Sequence, residues 1–272
     1  MFSGNLFVPS VEFTVDSMIE NPVIDTILDH KSVRKYKKES PTEEEIETIV
    51  RAGQQAPFVS QLYSVLLSRD REKHPFKAPL MFTICIDIHK IQRIMDQRGW
   101  ELITNDLSLL LFGMQDAAYM AQNMVTAGES IGVGSVFLGR AIYIAESIKD
   151  EYDLPEKVFP LVQLAMGYPD EDEPPRPRYP MDLVLFEGSY PELTDEMIET
   201  AMESMDEGYL EQDYYRKLGA KIGLSEGEDE YTYDDYSWTE HMSRKWGQWY
   251  ESMETPMKQL RACGFDIVPE DQ

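Results

Sequence analysis

Five of the chain's 25 lysines and arginines fall within eight positions, Lys31 to Lys38, and no acidic residue interrupts them. His30, Lys31, Ser32 and Arg34 together offer an anion several donors, with Ser32 small enough to let a phosphate approach the backbone. Arg34, Arg176 and Arg178 add planar, bidentate donors from distant parts of the sequence. The last two lie in DEDEPPRPRYP, residues 170–180, whose four prolines force an extended, PPII-like loop. Alternate residues of such a segment are expected to point the same way. Two readings are open for the basic island: an anion site, or a solvated loop that follows a helix.

Other chemistries have weaker sequence support. The four histidines (His30, His74, His89 and His241) are scattered, and no Ser/His/Asp or Cys/His nucleophile set can be assembled, so acid and base work falls to a cofactor or water. Cys85-x-Asp87-x-His89 alternates along a strand, but three ligands in five residues lack the spacing of a zinc site, and no metal is expected. Gly132-x-Gly134 imitates the start of a dinucleotide fingerprint. Here, however, the glycines close a helix and open a strand, the reverse of the order that fingerprint needs.

The elements that must position these groups centre on residues 107–140. Leu107, Leu110, Leu111, Met114, Ala117, Ala118 and Ala121 recur at helical spacing and predict a core helix from Leu107 to Ala127. Gly132 and Gly134 end it, and Val133 to Leu138 resumes as a buried strand that leads into the turn at Gly139. Pro22 to Asp29 reads as a short helix delivering the basic island, and Thr42 with Glu45 forms a capping box for a helix through Ala52. Leu62–Ser68, Leu80–Asp87, Val158–Met166 and a short Leu183–Phe186 read as strands, and Ile142–Tyr152 as a helix. Beyond them come an amphipathic helix from Thr194 to Leu218, an acidic surface excursion from Gly219 to Asp235, and a terminal helix within Tyr236–Gln272 carrying Trp238, Trp246 and Trp249. That aromatic tail suits a docked core or a dimer interface better than a ligand box. Mixed helices and doubly apolar strands fit an α+β or α/β sandwich.

At 272 residues the chain can bury a full core. A net charge of −25 argues against nucleic acid or an anionic membrane as partner. Residues 170–235 alone carry 21 acidic and 5 basic side chains. No apolar run reaches membrane length and the N-terminus does not read as a signal peptide, so a cytoplasmic location is expected, and two cysteines make no disulfide framework.

Taken together, the motifs resemble a known family. His30-Lys31-Ser32-Val33-Arg34 is similar to the His-Arg-Ser-Ile-Arg opening of the nitroreductase/flavin reductase family, especially its larger NADPH-linked, oxygen-insensitive branch. The likeness continues through Ala56-Pro57, Met120-Ala121-Gln122-Asn123, Glu129 to Gly134, Leu154-Pro155, Gly167-Tyr168-Pro169 and Pro177 to Pro180, spanning about residues 22–217.

The resemblance implies an α+β three-layer sandwich with a central, mainly antiparallel sheet, an intertwined homodimer, and FMN held non-covalently at the dimer interface. A division into an N-terminal extension (1–21), an FMN-binding core (22–190) and a C-terminal helical extension (191–272) is expected. By position, His30, Lys31, Ser32 and Arg178 would hold the FMN phosphate, and Arg34 and Arg176 the pyrimidine edge, where reduction places negative charge. Gln61 would reach the ring from the other subunit, and the backbone of Leu138, Gly139 and Arg140 would face N5. Arg216 and Lys217 are candidates for the 2′-phosphate of NADPH, or else are cations that favour a helix C-terminus. The implied activity is ping-pong hydride transfer from NAD(P)H through FMN to nitroaromatics, quinones or flavins. A flavin reductase for a dedicated metabolite and a flavin-binding regulatory protein of the same fold are the alternatives. Lys31 for the usual Arg, Arg176 for the usual Lys, Arg140 for a glycine and the short loop Arg69–Pro79, with Glu72, are departures that bear on pocket shape.

Overall fold

In the computed structural model, residues 19–248 and 252–267 are described. Most of the N-terminal extension, together with Trp249 and the last five residues, lies outside them. The chain forms two compact units, Asp25–Glu173 with Glu251–Gln272, and Met1–Ile24 with Pro174–Tyr250. These units are discontinuous in sequence, and residues 252–267 belong to the first.

In the larger unit, α1 (Pro22–Leu28, which begins just before the unit boundary) and α2 (Glu43–Gln54) precede β1 (Tyr63–Ser68) and β2 (Leu80–Asp87). α3 (His89–Arg98), α4 (Asp106–Ser130), β3 (Gly134–Leu138), α5 (Ala145–Glu151), β4 (Val158–Gly167) and α9 (Glu254–Ala262) complete it. The four strands pair antiparallel throughout in the order β1-β2-β4-β3. β2 and β4 are central, which is why their sequences are apolar on both faces. Pro160 cannot donate to a ladder, and the register of β2 against β4 shifts beside it, between Ile84 and Cys85.

One sheet face, with Phe82, Ile84, Leu164 and Met166, packs on Ile46 and Ile49 of α2 and on Ala117, Met120, Ala121 and Met124 of α4. The opposite face is covered at one end by Val33 and Tyr36, and at the other by Ala141 and Ile148. Thr42 caps α2 as expected: its hydroxyl accepts the Glu45 N–H, and the Glu45 carboxylate takes the Thr42 N–H at 2.7 Å. A Cβ on Gly113 would lie 2.4 Å from Ile86 Cγ2, so only glycine lets α4 sit this close to β2. The helix does not bury its predicted face. Leu110, Ala117 and Ala121 are buried, but Leu107, Leu111, Met114 and Ala118 are exposed, because the side toward the sheet runs through Gly113, Asp116, Met120 and Met124.

In the smaller unit, α6 (Asp195–Glu211), α7 (Tyr214–Leu218) and α8 (Trp238–Gln248) replace the expected long helices. The helix from Thr194 breaks at Asp213, whose φ of 50° is left-handed; on either side of the break Tyr209 and Tyr214 meet edge to face, and Tyr209 stacks on Tyr215. Leu183–Phe186 is not a strand, since the chain turns there through a 3-10 turn at Met181–Leu183 with no strand alongside. Trp238 docks against Tyr179 and Tyr209, whereas Trp246 is exposed. The acidic excursion is tied down by Arg244, which is buried and donates to both carboxylate oxygens of Asp229 and to Glu240.

Hydrogen bonds from Arg244 and then Lys221 hold the Asp229 carboxyl well below the usual carboxylate range. A depressed pKa stabilises the fold at pH values above the unfolded carboxylate's pKa of about 3.9, and the gain fades as pH falls toward the lower folded value. Replacing Arg244 with Leu is therefore expected to lower the melting temperature by a constant amount above about pH 5, a gap that narrows below about pH 4. Thermal melts of both proteins from pH 3 to 7 check this, and a gap independent of pH would remove Asp229 from the account.

Candidate functional site

The basic island is held in place by its backbone. Ser32 bridges Ser135 of β3 in parallel, and the Val33 N–H donates to the Ser135 carbonyl at 2.8 Å. Further along, Tyr36 bridges Pro169, and Lys37 N–H donates to the Tyr168 carbonyl at 2.9 Å. Between these two seams, Glu171 Oε1 accepts the N–H groups of Arg34 at 2.5 Å and Lys35 at 3.1 Å. The buried Tyr36 hydroxyl donates toward the carbonyls of Val33 and Ala165, and burial pushes its pKa up, so it stays a neutral donor. Gly134 permits this closure: a Cβ there would lie 2.6 Å from Val33 Cγ2 and 2.9 Å from Pro169 Cγ.

The side chains of the island then meet different fates. His30 Nδ1 and Glu129 Oε1 are 2.7 Å apart, which leaves the other ring nitrogen for a further partner. The Lys31 ammonium lies 3.1 Å from Asp172 and 3.6 Å from Asp29, at a cavity of about 410 Å³ that Val33, Glu129, Gly134 and Pro169 also line. Burial alone would lower the Lys31 pKa, but Asp172 and Asp29 outweigh it and the net shift is upward. Arg34 is half-buried, and among the described residues no carboxylate pairs with its guanidinium. Ser135 Oγ, on the residue bridged to Ser32, is buried without a hydrogen-bond partner among the described residues.

β3 runs out through Leu138 into a 3-10 turn at Gly139–Tyr143, with Gly139 and Arg140 exposed. A Cβ on Gly139 would meet nothing within 4 Å, so the backbone there is bare and open. Gln61 is exposed at the entry to β1, with a left-handed φ of 56°. These features suit a phosphorylated, flat heterocycle: donors for an anion at one end of β3, bare backbone for a ring at the other, and an uncompensated guanidinium.

Arg176 and Arg178 belong to the smaller unit and take unlike partners. Arg176 lies 4.3 Å above the Tyr214 ring centroid and donates to Gln212, while Arg178 turns back to the carbonyls of Arg176 and Pro177. In the same unit Arg216 pairs with Asp213 and Asp234. Asp87 of the Cys85-x-Asp87-x-His89 stretch accepts hydrogen bonds from the Ser64 hydroxyl and the Lys90 N–H, and burial pushes the Cys85 thiol up to about 12. Among the described residues no group of three or more His, Cys, Asp or Glu is placed to hold a metal ion. Nor is any helix there long and apolar enough to cross a membrane. The pairing of Glu129 with His30 and the role of Glu171 were missed from sequence, because their partners lie 99 and 136 to 137 positions away and local spacing does not report them.

The profile of the Nitroreductase family matches residues 27–73, the basic island through β1. An FMN reductase (NADPH) of Bacillus subtilis is 31% identical over 213 residues, 72% of this chain and 84% of that protein. An oxygen-insensitive NADPH nitroreductase of Salmonella typhimurium is 29% identical over 204 residues, 70% and 83% of the two chains. Among solved structures, NfrA2 of B. megaterium superposes with a TM-score of 0.74 at 26% identity, covering 88% of this chain and 98% of that one. An NADPH:FMN oxidoreductase from Vibrio harveyi, complexed with NAD+, gives a TM-score of 0.70 at 26% identity over 90% and 99%. The fold is accordingly the α+β sandwich the motifs imply, and the chain belongs to the nitroreductase family.

Proposed function

We propose that this chain works as an FMN-dependent NAD(P)H oxidoreductase. The observation that carries the reading is Arg34: in a chain with 50 acidic residues, the guanidinium of this partly buried residue is left without a carboxylate among the described residues. A guanidinium without a carboxylate partner can donate to the electron-rich acceptors of a bound ligand. When bound, FMN would accept a hydride from the nicotinamide and deliver two electrons to a nitroaromatic, quinone or flavin in a second half-reaction.

His30, oriented by Glu129, and Ser32 are assigned to the phosphate. Lys31 adds positive charge there, although its ammonium is already shared with Asp29 and Asp172. Arg34 supplies fixed positive charge for the pyrimidine edge, where reduction accumulates negative charge, and this favours the reduced state more than the oxidised one. The bare backbone at Leu138 to Arg140 leaves room for the ring. Arg34→Leu is expected to slow flavin reduction on the order of 10-fold or more while weakening FMN binding less. Stopped-flow bleaching of the yellow holoprotein by NADPH, beside an FMN titration, measures both; an unaltered rate would take Arg34 out of the reaction.

Arg216 and Lys217 are proposed to meet the 2′-phosphate of NADPH. The phosphate would have to displace Asp234 and Asp213 from Arg216. Arg216→Ala should then lower kcat/KM for NADPH by roughly 10-fold and leave NADH nearly untouched, since only one nucleotide carries the group. Equal losses with both nucleotides would return Arg216 to the helix-end role.

A homodimer is part of the same proposal, with Gln61 acting at the partner's flavin. It is supported by the second apolar stripe of α4, where Leu107, Leu111 and Met114 recur at one helical face and stay exposed, and by the exposed apolar side chains of Phe58 and Val59. Leu111→Glu should shift sedimentation from dimer to monomer and release FMN. A monomeric parent protein that retains stoichiometric flavin would count against the dimer.

A further inference from the structure

Asp116 is 0% exposed in the middle of α4, where an apolar residue would be expected from the helix's pattern. A carboxylate at such a position must be satisfied by strong donors. All three of its recorded partners are backbone N–H groups of one loop. Val59 donates to Oδ1 at 2.6 Å, and Ser60 and Leu62 donate to Oδ2 at 3.0 and 2.9 Å. The N–H that is skipped belongs to Gln61, the loop residue with a left-handed φ of 56°. A non-glycine residue persists in that region only where its surroundings over-determine it, and here donors on both sides of Gln61 are anchored to one buried acid.

The loop's side chains behave in the opposite way. Every side chain from Pro57 to Gln61 is exposed, whereas Leu62 and Tyr63 immediately after them are buried. The backbone is therefore fixed from beneath while its side chains are displayed outward, an arrangement that contributes little to the core but makes the direction of each displayed side chain definite. Gly113, one turn before Asp116, allows the close approach of α4 that puts the carboxylate within reach, with Leu62 Cβ 3.5 Å from the position its own Cβ would take.

We propose that Asp116 is the positioning residue for Gln61: it does not touch the cofactor but holds loop 57–61 in the one conformation that presents the Gln61 amide to the flavin ring. The inference rests on the reading of Gln61 given above. It adds that the geometry of one side of the site is set by a carboxylate buried on the sheet-facing side of α4. Without that carboxylate, three amides lose their acceptor and the left-handed turn at Gln61 relaxes.

The test is a double-mutant cycle in the full-length holoprotein with Asp116→Asn and Gln61→Ala, together with amide hydrogen exchange on the flavin-free protein. Asparagine keeps the shape but turns an NH2 toward loop N–H donors. Asp116→Asn should speed exchange across residues 58–62 by about 10-fold or more while leaving β2 and β4 protected. It should slow flavin reduction by NADPH about as much as Gln61→Ala, on the order of 10-fold, and the double variant should be no slower than Gln61→Ala alone. Asp116→Glu, which keeps the charge but moves it, serves if asparagine prevents folding, with the same lack of additivity expected. Losses that multiply in the double variant, exchange lost across the whole sheet, or normal reduction in the Asp116 variant while Gln61→Ala is slow would each overturn the positioning role. A parent protein that binds no FMN would show at once as a colourless preparation and would defeat the flavin reading itself, and the inference with it.

Discussion

The larger unit depends on how closely α4 lies on the sheet. Twenty-five residues of helix run over β2 and β4, and the contact works because Gly113 leaves no Cβ against Ile86 and because Met120 and Met124 fill what remains. Close packing of this kind is rigid, since a displaced methylene on either side would overlap or leave a void. That rigidity is passed to three places. The N-terminal half of α4 carries Asp116 and so the loop before β1, its last turn carries Glu129 beside His30, and its end at Gly132 starts β3 and the bare turn after it.

The electrostatics of the site follow from placing a basic island in a strongly acidic chain. Carboxylates fix the island: Glu171 through its backbone, Glu129 through the His30 ring, Asp29 and Asp172 through the Lys31 ammonium. Surface pairs of this sort stabilise little by themselves, and their main effect is to restrict where each donor points. Arg34 differs because its backbone is bonded to an acid while its guanidinium pairs with none among the described residues. The contrast separates residues whose charge is already met within the fold from the one whose charge is not met among the described residues. A similar pairing in the smaller unit keeps Arg244, Lys221 and Arg216 each beside aspartate, so the acidic excursion is folded onto cations instead of lying free in solvent.

Sequence by itself determined the elements whose information is local. The Thr42–Glu45 capping box, the glycine-terminated helix before β3, the doubly apolar β2 and β4, and the basic island are each specified within a few residues, and the structure has them where the spacing puts them. The same local motifs were enough to place the chain in its family. What only the tertiary structure decided are the relations between distant residues and the choice among equivalent surfaces. α4 is apolar on more than one side, and nothing in its spacing says that Leu111 and Met114 would face out while Asp116 faces in; the choice is made by which face can approach Ile86. A strand at Leu183 needed a neighbour that the fold does not bring, and the helix break at Asp213 accompanies tyrosine contacts that form only once the chain has turned. How the residues of the island are held depends largely on acids 99 to 141 positions away, because a charge is neutralised by what is near in space and sequence patterns report only what is near in the chain.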